Sequence, residues 1–110
     1  MIFSPEFCEA VQAGTKTVTR RPANGRECPH RVGSIQKVQP GQGQPALPGR
    51  IQITSIRLES LKELTKSDAR RSGFGSRNPR RELLQWWGDR YGGKSSQPVY
   101  RIEFHYIPRD

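Results

Sequence analysis

Arg50-Ile51-Gln52-Ile53-Thr54-Ser55-Ile56-Arg57-Leu58 decides how the chain folds. Its apolar residues take one parity at Ile51 and Ile53 and the other at Ile56 and Leu58, so a strand here must carry a bulge near Thr54 and Ser55. Such a strand belongs in a sheet that curls. Downstream, Val99 to Ile107 alternates without a break. Tyr100, Ile102, Phe104 and Tyr106 share one side and Arg101, Glu103 and His105 the other, which predicts one core face and one wet face. Upstream, Thr15-Lys16-Thr17-Val18-Thr19-Arg20 is rich in β-branched residues and stops at Arg21-Pro22, because proline cannot donate to a sheet ladder. A shorter strand is expected over Ile35 to Val38, after Gly33.

Helices fill the intervals. Ser4-Pro5-Glu6 has the order of an N-cap, a proline in the first turn and an acid against the helix dipole, and Gly14 is placed to end that helix in a left-handed cap. Thr65 or Ser67 can cap a single turn through Ala69 to Ser72 before Gly73. Asn78-Pro79 opens a longer helix whose Leu83, Leu84, Trp87 and Tyr91 form one stripe, ended by Gly92-Gly93. That stripe is the strongest core signal. Segments 22–34 and 39–49, rich in Gly, Pro and polar residues, read as flexible loops. The elements together predict an α+β fold, a curled sheet forming a partial β-barrel flanked by two or three short helices.

With 110 residues the chain is expected to be one domain, 1–110. Nineteen Lys and Arg against ten Asp and Glu give a net charge of +9, and an anionic partner is the default expectation. No apolar run approaches the roughly 20 residues needed to span a bilayer, and no basic-then-apolar leader is present, so a cytoplasmic protein without membrane contact is expected. Two cysteines, Cys8 and Cys28, are too few for a disulfide framework. Cys28 and His30, with Cys8 and His105, lack the two-Cys hairpin spacing of a zinc site, so no metal and no cofactor are expected. No phosphate-loop or dinucleotide-binding glycine pattern occurs.

Four blocks carry a resemblance, in order along the chain: Cys8 to Arg21, with Gly14-Thr15-Lys16-Thr17-Val18-Thr19-Arg20-Arg21 the most specific; Leu47 to Arg57; Leu61 to Ala69 with Gly73-Phe74; and the closing aromatic strand. Together they resemble ASCH domains, small relatives of the PUA fold that include stand-alone phage and bacterial versions. The resemblance implies a barrel-like sheet with a cleft for RNA or nucleotides. It also implies, for some members, an amidohydrolase that deacylates N4-acetylcytidine with a Lys, a Thr and a Glu, and for another a ribonuclease. Lys16 and Thr19 occupy the Lys and Thr positions. The Glu position is Ser72, which cannot act as a carboxylate acid or base, so Asp68, Glu63 or Glu82 would have to enter the cleft in its place.

The residues themselves allow a similar site. Lys16, Thr17, Thr19, Arg20 and Arg21 offer ammonium, hydroxyl and guanidinium groups to one phosphate or base edge. Lys16 and Thr19 have opposite parity, so both reach one hollow only if Lys16 lies in the irregular turn after Gly14. The competing reading is an edge strand guarded against aggregation by its charges. Arg70, Arg71, Arg77, Arg80 and Arg81 form a second basic cluster around Gly73-Phe74-Gly75, suited to several phosphates or simply to the solvated faces of two helices. Trp86 beside the apolar stripe either stacks on a base or packs on its own helix. The expected function is binding of RNA or a nucleotide, with DNA as a competitor, by a monomer. Hydrolysis through Lys16 and Thr19 is the alternative, and docking of a phage-type accessory protein on an acidic host protein the third.

Overall fold

The structure is a computed structural model and describes residues 1–109. Its elements are α1 (Pro5–Gln12), β1 (Val18–Pro22), β2 (Ile35–Gln36), β3 (Arg50–Ser60), a 3₁₀ turn (Leu61–Glu63), α2 (Lys66–Arg71), α3 (Pro79–Tyr91) and β4 (Pro98–Ile107). The strands form one curled sheet in the order β1-β4-β3-β2, with every neighbouring pair antiparallel. The one parallel contact among the described residues is an isolated bridge between Ile2 and Gln39.

The phase break in β3 is a bulge. Ile53 stands opposite Phe104 and Ser55 opposite Glu103, so Thr54 has no partner across the ladder. Its hydroxyl donates instead to the Glu103 carbonyl at 3.3 Å. The extra residue keeps Ile51, Ile53 and Ile56 on one face, against Tyr106, Phe104 and Ile102 of β4. Leu58 lies on that face too, at the rim, and is 60% exposed.

Each face of the sheet carries a core. On one, α1 packs Cys8 and Val11 against Ile51, Ile53, Ile102 and Phe104, with Phe3 and Val38 closing the cluster. On the other, Leu61, Leu64, Ala69, Phe74, Leu83 and Trp87 surround Val99. Phe7 packs against both clusters. The β4 side expected to be wet is therefore covered by α2 and α3, and Arg101 is only 6% exposed. Helix spacing alone does not say which sheet face a helix lies on.

Local chemistry explains the boundaries. Ser4 is the N-cap of α1, with Pro5 in the first turn and Gly14 beyond the last at φ +79°, where a side chain would be strained. Thr65, and not Ser67, caps α2, its hydroxyl accepting from the Asp68 N–H at 3.0 Å. β2 is two residues long, shorter than Ile35 to Val38, because Val38 leaves the ladder to enter the core. β1 starts at Val18, later than Thr15. The Thr17 N–H donates to the Arg71 carbonyl of α2 at 2.7 Å and so leaves the sheet pattern. The segments read as loops are pinned at points, the Gly33 N–H to the Ile53 carbonyl at 2.7 Å and the Leu47 N–H to the Val38 carbonyl at 2.8 Å.

Candidate functional site

The open side of β1 faces a cleft where the two cores meet. Lys16, Thr19, Arg20, Arg21 and Ser72 all line it, together with aromatic side chains of α1, α3 and the α2–α3 turn. It encloses about 490 Å³ of empty space when the mouth is counted.

Lys16 reaches the cleft because it precedes β1 and escapes the strand's parity. Its Nζ donates to the Val18 carbonyl at 3.0 Å and to the Ser72 carbonyl at 2.7 Å. It also lies 4.9 Å from the centre of the Phe7 ring. Burial first, and then the charges of Arg21 and Arg20, pull its pKa from 10.5 down to about 7. Thr19 is equally enclosed, at 6% exposure. Arg21 is fixed by a hydrogen bond from Nη2 to the Ile2 carbonyl at 2.6 Å and stacks 5.5 Å from the Phe3 ring, with no acid paired to it among the described residues. Ser72 turns its hydroxyl away to the Asp68 carbonyl at 2.7 Å.

The walls are aromatic. Phe7 lies 5.4 Å from Phe74 and 5.6 Å from Trp86, and Trp86 continues the tilted and edge-on series to Tyr91 at 6.1 Å. Trp86 thus packs on its surroundings and also lines the cleft, with Arg90 5.6 Å from its ring. Gly73 sits at φ +101°, where an added Cβ would stand 3.1 Å from Phe7 and 3.8 Å from the Lys16 side chain. Sequence reasoning missed Phe7, Phe74 and Arg90 as site residues. Only the Gly73-Phe74 pair was marked, as part of a motif.

Behind β1 the scattered acids converge. Arg20 donates from Nε and Nη2 to Glu59 at 2.9 and 2.6 Å and from Nη2 to Asp68 at 2.7 Å. Arg101 grips Asp68 at 2.6 and 3.1 Å and reaches Glu103 at 3.0 Å. Arg71 adds Glu103 at 2.7 Å and the Thr17 hydroxyl at 3.1 Å. The hydrogen bonds from Arg101, helped by Arg20, hold the Asp68 carboxyl well below the usual carboxylate range.

This network engages several of the residues expected to bind nucleic acid. The Arg20 guanidinium is held by two acids through Nε and Nη2 and its side chain is 2% exposed, while its Nη1 is buried without a partner among the described residues. Arg71 and Thr17 belong to the same network, with the Arg71 side chain 37% exposed. Arg80 donates to the Leu64 and Lys62 carbonyls, clamping α3 to the 3₁₀ turn. Arg70, Arg77 and Arg81 stay exposed and unpaired with acids among the described residues. None of the carboxylates considered as substitutes lines the cleft: Asp68 is held by arginines, Glu63 accepts from the Ser60 N–H, and Glu82 is exposed on α3.

The fold is similar to those of several solved structures, among them proteins from three bacteria. An ASCH domain from Lactobacillus crispatus JV V101 superposes with a TM-score of 0.70 at 17% identity, over 94% of this chain and 71% of that one. A protein of the DUF984 family from Enterococcus faecalis V583 gives 0.70 at 17% identity, over 93% and 70%. An ASCH protein from Zymomonas mobilis gives 0.67 at 18% identity, over 98% and 71%. No family model matches the sequence, and no curated protein matches it. What these chains share with it is the fold.

Proposed function

We propose, from the premise that the chain has the ASCH-domain fold, that its cleft binds one nucleotide unit of RNA while α2 and α3 hold the adjoining backbone. The observation that carries this reading is the convergence of Lys16, Thr19 and Arg21 on a hollow walled by aromatic rings. Rings supply stacking surface, worth about 1–3 kcal/mol per base, and the cations favour a phosphate. The same α2–α3 segment presents Arg70, Arg77 and Arg81 to solvent, and the net charge of +9 agrees in sign.

Fluorescence titration with short single-stranded RNA tests it. Wild type is expected to bind with an affinity that falls steeply with salt, and Arg21→Ala and Lys16→Ala each to bind about tenfold more weakly. Equal binding by both variants, or none by wild type to RNA or DNA, removes this reading.

The depressed pKa of Lys16 favours one second reading, hydrolysis of an N4-acylated cytidine or of RNA. Its neutral amine would take a proton from Thr19 or a water as that oxygen attacks the acyl carbon, and the ammonium so formed would return the proton to the N4 that leaves as the C–N bond breaks. The cleft offers amine and hydroxyl but no carboxylate, which is why binding ranks first. Incubating wild type and Lys16→Ala with N4-acetylcytidine and with labelled RNA separates the two: turnover above the variant's background supports hydrolysis, and its absence leaves binding alone.

A further inference from the structure

We infer that the cleft reads its ligand through the main chain of Arg20, whose amide and carbonyl form a donor–acceptor pair for the edge of a planar heterocycle. This rests on the binding function proposed above and specifies what is bound.

β1 is the outermost strand of the sheet. In an antiparallel pair, facing residues alternate between those that exchange hydrogen bonds and those that do not. The Phe104 N–H donates to the Thr17 carbonyl at 2.9 Å, and the Ala23 N–H to the Pro98 carbonyl at 3.2 Å. The register between these two contacts is unbroken, with Thr19 opposite Ile102 and Arg21 opposite Tyr100. Residues 17, 19, 21 and 23 therefore bond to β4, and Val18, Arg20 and Pro22 turn their main-chain groups to the open side.

Two of those three are already modified. Lys16 caps the Val18 carbonyl, and Pro22 has no N–H. Arg20 alone keeps both a free donor and a free acceptor, pointing the same way. An added peptide strand would find its pairing obstructed on each side of Arg20, whereas a ligand needing one donor and one acceptor finds its full complement.

The cleft lies along this edge. Thr19 and Arg21 project to one face of the sheet and Arg20 to the other, yet all three line the same hollow, as they must if it borders the strand from the side. Phe7 and Trp86 line it too and give a flat ligand its walls. The matching chemistry is a ring with an acceptor beside a donor: the ring nitrogen and amino group of cytosine or adenine, or the carbonyl and ring N–H of uracil or guanine. A base alkylated on that donor lacks the match.

Amide-resolved NMR on the full chain tests this with cytidine monophosphate and its N4,N4-dimethyl derivative, which keeps the acceptor and the charge but loses the donor. In the free protein the Arg20 amide should exchange with solvent faster than those of Thr19 and Arg21. Cytidine monophosphate should shift it and slow its exchange, and the dimethyl derivative should bind about tenfold more weakly. If both nucleotides bind equally, moving Lys16 and Trp86 signals while the Arg20 amide stays unchanged, this inference is overturned and the proposed function stands. If no nucleotide moves any cleft signal, both fall. If a short extended peptide shifts the Arg20 amide and the nucleotides do not, the edge serves strand addition and the heterocycle assignment is overturned.

Discussion

Lys16 shows what one residue gains from its place in the chain. The sequence demanded that it lie in the turn after Gly14 if it was to share a hollow with Thr19, and it does. Its burial was not legible, because the groups that enclose it, Phe7 and the Ser72 carbonyl, come from distant segments. Its folded pKa of about 7 lies below the ordinary 10.5, so it is cationic below about pH 7 and neutral above. Carbon-detected NMR should find its Cε titrating near 7 while exposed lysines titrate near their usual ~10.4. Affinity for a phosphodiester, whose charge is constant over this range, should fall as pH rises through the same window. A flat profile from pH 6 to 9 would contradict that. Gly73 makes a second residue-scale case, since its left-handed φ and the 3.1 Å approach to Phe7 oppose any side chain. Gly73→Ala should lower stability by about 1–3 kcal/mol in urea unfolding and displace the Lys16 resonances. A variant as stable as wild type with those signals unmoved would show that the contact relaxes freely.

At the scale of elements, α2 and β4 are joined by charge as much as by apolar packing. Thr65 caps α2 and thereby orients Asp68 toward Arg20 of β1 and Arg101 of β4. Strand periodicity placed Arg101 and Glu103 on one side and the bulge at Thr54, both correctly. It could not reveal that α2 would cover that side, because the helix's six residues carry a charged sequence with no apolar stripe. Asp68→Asn leaves two buried guanidinium groups short of an acid and should cost about 3–5 kcal/mol. Chemical unfolding of the purified variant measures it, and a loss under about 1 kcal/mol would mean that water or Glu59 compensates. The pH dependence has a definite sign. The carboxyls of Asp68 and Glu103 are held below their ordinary values of 3.8 and 4.5. Their contribution is complete above about pH 5 and is lost as pH falls through the folded values. Acid unfolding should therefore shift to higher pH in Asp68→Asn.

Across the whole molecule, positive charge is divided into two populations. Arg20, Arg71 and Arg101 neutralise acids inside the fold, while Arg70, Arg77 and Arg81 face solvent without them. Net charge read from composition cannot separate the two. If the exposed set holds a nucleic-acid backbone, replacing Arg77 and Arg81 with Ala should reduce the slope of log affinity against log salt by about 1.4, near 0.7 for each lost phosphate contact on a single strand. An unchanged slope would place the backbone elsewhere. Phe7 packs against both cores, and the cleft opens beside it. Whatever lodges there is a rivet between the halves of the protein. Heating should melt them together, and the occupied form should resist prying apart in proportion to how far the guest spans the join.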